Sequence, residues 1–361
     1  MQARFIAPWK DSLEKPVIYH CLSRVVERRF AFGKTDKEQL RTYMRMYENF
    51  SGCRVLAYCF MCNHLHLLLE VPPLPVGGLS DAGLLQRLRF IYSEAFVAEV
   101  AKRLGTFRKD GNEGAANELH RKFTYRMHGL SEFMKGFMQR FTQWFNRRHE
   151  RTGGLWEDAF KSVLVEDGVA SRTMAAYIDL NPVRAGMVAD PADYRWSSYG
   201  EAKGGGPRGN GKKARAGLVR ALTAHKGYEA DARHWAGRVS KDYRMLLLDE
   251  GEEQLKEVRC DDGHLAVKVV RKGVKKAAVE AEMARLERSR DVALGQMLRS
   301  RVRYFSDGAV IGSREFVDRV FQACRERFGG NRRSGARKLR GNATAAAGAL
   351  WSVRDLHKGI G

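Results

Sequence analysis

Cysteine, proline and acidic residues are all scarce in this chain of 361 residues. There are six cysteines and eight prolines. Cys21, Cys53, Cys59, Cys62, Cys260 and Cys324 are too few to staple a chain this long as a disulfide-rich secreted domain is stapled, and they fit a reducing compartment. Asp and Glu number 42 against 64 Lys and Arg, a formal charge of +22. That surplus points to a polyanionic partner, and nucleic acid is the usual one. No apolar run approaches the roughly 20 residues that span a bilayer. The opening residues Met1 to Pro8 lack the apolar core of a signal peptide. The expectation is a soluble protein of the cytoplasm, associated with the nucleoid and not with a membrane.

What is present is a core and a pattern. Hydrophobic residues make up 44% and aromatic residues 10% of the chain, which argues against global disorder. Residues 16–24 are rich in β-formers, 36–49 carry apolar residues at helical spacing, and 53–61 form a second strand candidate. A turn near Cys62-Asn63 leads into His64–Val71, so a hairpin is expected. Residues 77–128 are helical in pattern but charged, as in an insertion or a surface helical hairpin. Leu130 to Arg148 is a strong helix candidate with Ser131 as its cap. Phe160–Val165 follows as a strand and Gly168–Leu180 as a helix ended by Asn181-Pro182. The Gly-rich basic stretch 203–215 is expected to be a linker. Residues 216–361 are expected to be mostly helical, and a helix beginning at Ser313 raises the possibility of a helix-turn-helix reader of duplex DNA.

Chemistry concentrates in Cys62-Asn63-His64-Leu65-His66-Leu67-Leu68-Leu69-Glu70. Alternating strand side chains put His64 and His66 on one face and Leu65, Leu67 and Leu69 on the other. Two imidazoles side by side on a rigid strand are half of a divalent-metal site. The plainer alternative is one core histidine and one solvated histidine. Tyr177 and Asn181, four apart at a helix end, can share a face. A tyrosine can attack phosphorus and form a covalent phosphotyrosine, and an amide oxygen can add a ligand to two histidines. Alone, Tyr177 is equally a packed helix-edge residue and Asn181 a helix stop. The basic turn Asn146 to Gly154, with Arg147, Arg148 and Arg151, can hold phosphates or simply complement a helix C-terminus.

The stretch Leu56–Leu69 resembles the His-hydrophobe-His strand of single-tyrosine transposases. Tyr19-His20-Cys21-Leu22-Ser23-Arg24 is similar to their first strand, and Arg147–Glu157 with Phe160-Lys161-Ser162 to their linking segment. Ala176-Tyr177-Ile178-Asp179-Leu180-Asn181-Pro182-Val183-Arg184-Ala185-Gly186-Met187-Val188, followed by Asp193–Tyr199, is similar to the REP-associated tyrosine transposases. The four motifs occur in order over about residues 16–200. The resemblance implies an α+β fold with a ferredoxin-like antiparallel sheet and flanking helices, the HUH endonuclease core, over residues 1–202. It implies cleavage and rejoining of single-stranded DNA at hairpin-forming palindromic repeats through a 5′-phosphotyrosine, with Mg²⁺ or Mn²⁺. Tyr177 then matches the nucleophile, and His64, His66 and Asn181 the metal ligands. Arg147, Arg148, Arg151 and Lys161 become candidate DNA contacts, and the active unit a monomer or homodimer. Cys62 stands where the family commonly has proline, Ala159 where a basic residue is common, and 77–128 is longer than in compact members.

Two other readings stay open at this level. Cys59, Cys62, His64 and His66 have ligand types that zinc favours. A non-catalytic nucleic-acid-binding protein derived from a transposase accounts for the charge equally well.

Overall fold

The alternating runs of the N-terminal half form the centre of one sheet in a computed structural model, which describes residues 5–10, 14–28, 31–204, 211–223, 231–259, 265–285, 305, 308–339 and 350–353. Strands β1 (Val17–Arg24), β2 (Arg54–Phe60), β3 (His64–Val71) and β4 (Lys161–Val165) lie in the order β2-β3-β1-β4, with every adjacent pair antiparallel. Helix α1 (Lys34–Ser51) connects β1 to β2, and α5 (Leu130–Arg148) precedes β4. This is the ferredoxin-like arrangement expected from the sequence. The β2–β3 hairpin is present as well, with Cys59 opposite His66.

The two-residue period divides the sheet's side chains between two cores. Tyr19, Cys21, Leu65, Leu67 and Leu69 pack with Leu40 and Met44 of α1 and with Phe133, Phe137 and Phe141 of α5. Ile18, Cys59, Leu68, Val163 and Val165 pack on the other face with Met174, Tyr177 and Ile178. Those last residues belong to α6 (Val169–Asp179), followed by the single turn α7 (Asn181–Arg184) with proline in its first turn. Helix α5 begins two residues earlier than a Ser131 cap requires, with Gly129 at the N-cap position. Phe133 N–H already donates to Gly129 C=O at 3.0 Å, so Ser131 is inside the first turn.

The charged segment after β3 holds three helices, one more than a hairpin: α2 (Asp81–Leu88), α3 (Glu94–Lys109) and α4 (Glu113–Thr124). Ser80, Ser93 and Asn112 each cap one of them by accepting a backbone N–H.

The sheet does not stop at the boundary expected at 203–215. Helix α8 (Ser198–Gly204) is followed by α9 (Gly211–Leu222), which crosses β2 at Gly217. A Cβ there would lie 2.3 Å from the Val55 carbonyl oxygen, so the crossing requires glycine. Helix α10 (Arg238–Gly251), the β5 (Gln254–Arg259)–β6 (Leu265–Arg271) hairpin and α11 (Lys276–Arg285) come next. Strand β7 (Val310–Gly312) then pairs parallel to β4, and β9 (Trp351–Val353) and β8 (Arg337–Lys338) complete a seven-stranded sheet. Among the described residues, the C-terminal part therefore combines helices with five short strands. Helix α12 (Arg314–Ala323), capped by Ser313 as expected, buries Phe316, Val317 and Val320 between β7 and β8 in sequence. It is a core helix here, and most of the segment between α11 and β7 lies outside the described residues.

Candidate active site

Three histidines and a tyrosine meet on the α6 face of the sheet. The register sets His64 opposite Arg24, His66 opposite Leu22, and Leu68 opposite His20, so His20, His64 and His66 share that face. The His64 and His66 rings lie with centroids 5.1 Å apart and nearly perpendicular. Helix α6 brings Tyr177 over the pair, its ring centroid 5.8 Å from His66 and 6.0 Å from His20. Tyr177 is buried and stacks on Phe305 at 4.6 Å. The predicted face-sharing of His64 and His66 occurs, and Tyr177 lies against His66.

Asn181 sits at the end of the tyrosine's helix. Its amide nitrogen donates to the carbonyls of Tyr177 at 3.0 Å and Ile178 at 3.2 Å. That commits the nitrogen to the helix end and leaves the amide oxygen as the end that can serve a cation. The hydrogen bonds of Asn181 tie it to the tyrosine's backbone and not to either imidazole. Arg184 adds a charge that the motif reading gave no role. Its guanidinium lies 5.0 Å from the centre of the Tyr177 ring and donates to the Tyr177 carbonyl at 3.2 Å. That places a guanidinium charge against the tyrosine.

The imidazoles are held neutral. Burial pulls His20 down to about 4, and burial with the nearby Arg24 charge pulls His64 down to about 4. His66 is lowered well below the usual value, by burial first and then by His64 and His20. Neutral imidazole is the form that binds metal. His64 Nδ1 lies 2.7 Å from Asn63 Oδ1, an acceptor, so its proton is on Nδ1 and its lone pair on Nε2. Two neutral imidazoles, one with its Nε2 lone pair set by a partner, and an amide oxygen are donor types that suit Mg²⁺ or Mn²⁺.

The zinc set is not assembled. Cys59 is buried with its thiol 3.6 Å from Met61 Sδ, and Cys62 Sγ accepts from Lys37 Nζ at 3.5 Å. Among the described residues, no three His, Cys, Asp or Glu side chains are grouped to hold a metal.

The predicted DNA contacts lie on two elements. Arg147 and Arg148 are exposed on the last turn of α5. Arg148 lies over Trp144 at 5.7 Å, and Arg151 lies over Phe145 and donates to Gly154 C=O at 3.2 Å. Lys161 opens β4 opposite Leu22, which faces His66 on its other side, so Lys161 is on the same cross-strand row as the histidine. Trp156 and Trp196 are half-buried, their indole N–H groups donating to Thr142 and Glu38.

The sequence reading gave no role to His20, which it quoted only within a strand motif. The two-residue period puts His20 on the face of Ile18 and Leu22, but only the strand pairing shows that this is the face of His66.

Comparison with known proteins bears on the same region. No curated protein matches the chain. A solved structure of a REP-associated tyrosine transposase bound to a REP hairpin is similar at 13% identity and a TM-score of 0.34, covering 66% of this chain and 92% of that one. Among the described residues no helix is long and apolar enough to cross a membrane. The family model described as transposase IS200-like matches residues 15–102, which run from β1 through the His64–His66 strand into α3.

Proposed function

We propose that this protein is a metal-dependent strand transferase that cleaves and rejoins single-stranded DNA at hairpin-forming repeats. The observation that carries the reading is Tyr177 lying 5.8 Å, ring to ring, from His66 on the face it shares with His64. In the proposed step the Tyr177 phenol oxygen attacks the scissile phosphorus. The bond from phosphorus to the 3′ oxygen breaks, and that oxygen leaves with the electron pair. The phenol proton passes to solvent, the leaving 3′ oxygen takes up a proton from solvent, and the products are a 5′-phosphotyrosine and a free 3′ hydroxyl. The reverse attack by a 3′ hydroxyl rejoins a strand without ATP, because the phosphotyrosine keeps the energy of the phosphodiester. His64, His66 and the Asn181 oxygen are the residues that would hold a divalent cation, which when bound would polarise the phosphate and offset its growing charge. Arg147, Arg148, Arg151 and Lys161 hold the backbone of the strand.

The test is incubation of labelled hairpin single-stranded DNA with Mg²⁺ or Mn²⁺. The expected outcome is a covalent protein–DNA adduct, lost in Tyr177→Phe and in His64→Ala. Cleavage that persists in Tyr177→Phe overturns the reading. The charge of +22 fits equally well a second reading, a DNA-binding protein without catalysis. Tight, salt-sensitive binding with no adduct in either metal is its signature.

A further inference from the structure

Two hydrogen bonds run inward from the candidate cation site. His66 Nδ1 lies 2.9 Å from His20 Nε2, and His20 Nδ1 lies 2.7 Å from the Phe305 carbonyl oxygen. The two rings have nearly parallel planes, 10° apart, and both side chains are buried at 1% and 3% exposure. A carbonyl oxygen only accepts, so His20 Nδ1 carries a proton. A second proton on His20 would put an imidazolium in a buried apolar site, which is costly. His20 Nε2 is therefore a lone pair, and the proton between the two rings sits on His66 Nδ1. That leaves the lone pair of His66 on Nε2, matching the state that Asn63 imposes on His64.

We propose that His20 is a positioning residue: with the Phe305 carbonyl it fixes the tautomer and ring orientation of His66, so that both histidines of β3 present Nε2 to the cation. The inference rests on the cation reading above for its purpose, but the tautomer it names exists without metal. Outer partners of this kind orient metal-binding imidazoles and raise their basicity, and their loss typically costs about 10- to 100-fold in metal affinity. The relay also joins the two ends of the chain. A backbone carbonyl 285 residues away in sequence sets the proton on a β1 histidine, and that histidine sets the proton on the β3 ligand.

The experiment uses the full chain labelled with ¹⁵N-histidine, first without metal. Long-range ¹H–¹⁵N spectra of the wild type are expected to show His66 with its proton on Nδ1 and a bare Nε2. A proton on Nε2 of His66 overturns the proposal, and this measurement needs no variant to fold. Mn²⁺ binding is then followed by titration of the wild type, His20→Phe and His64→Ala at one pH. His20→Phe is expected to bind about 10- to 100-fold more weakly, with the His66 tautomer no longer fixed. Unchanged affinity together with an unchanged His66 spectrum in His20→Phe also overturns it. If the wild type shows the Nδ1–H tautomer but binds no Mn²⁺, the cation reading fails while the hydrogen-bond relay stands.

Discussion

Arg220 closes on Glu70 at 2.7 Å with both side chains buried at 1% exposure. The same guanidinium makes two further bonds to Asp167, at 2.7 and 2.9 Å, and donates to the Thr223 carbonyl. The pair fastens α9 to the end of β3, four residues beyond His66. Removing one partner of such a pair leaves an uncompensated buried charge, which costs about 3–5 kcal/mol. Arg220→Met is therefore expected to lower stability by about that amount in urea unfolding. Because Arg54 and Asp167 also belong to the cluster, the double variant Arg220→Met with Glu70→Gln is expected to recover part of the loss. A single variant within about 0.5 kcal/mol of wild type contradicts this account.

Gly217 is the second point at which α9 depends on the sheet. A methyl group there meets the carbonyl oxygens of Val55 and Leu56 at 2.3 and 2.9 Å, and backbone of this kind yields only by moving the helix. Gly217→Ala is expected to destabilise the protein by about 1–3 kcal/mol, even though alanine is the better helix former. The midpoint of thermal unfolding checks it, and a raised midpoint means that the crossing is looser than described.

Acid should unfold the protein partly through its histidines. His20 is held near 4 in the fold and returns to about 6.5 when unfolded. As pH falls below 6.5 the unfolded chain takes up the proton first, so stability present above pH 6.5 is lost progressively down to about 4. For His20 alone the full loss is about 3 kcal/mol, and His64 loses stability in the same direction. Urea unfolding at pH 7, 5.5 and 4.5 measures the slope. His20→Gln should be flatter across that range, and equal slopes would assign the acid sensitivity elsewhere.

The strands and helices with long periods were legible from the residues alone. The β3 alternation placed His64 and His66 on one face, and the helical spacing of Tyr177 and Asn181 placed both at one helix end. The cap lies at Gly129, two residues before Ser131, because the first turn closes on a backbone carbonyl, which leaves no trace in side-chain pattern. Strand β7 has three residues and β8 two, too short for a two-residue period to show. Their place beside β4 is a long-range pairing that composition does not encode. His20 was visible as a strand residue, but its work depends on a neighbour 46 positions later and a carbonyl 285 positions later, so spacing gave no hint of it.

The parallel pairing of β7 on β4 has a consequence for how the chain can be cut. In a sheet ending at β4, that strand would carry an open row of amide and carbonyl groups along Leu164 and Val165. Exposed rows of this kind recruit other chains. A fragment ending at Gly204 would keep the tyrosine and the β3 histidines but bring an adhesive edge into solution. It would also lose the carbonyl that orients His20. The C-terminal third thus acts as a selvedge: it finishes the fabric of the β1–β4 sheet and keeps it from joining a neighbour's.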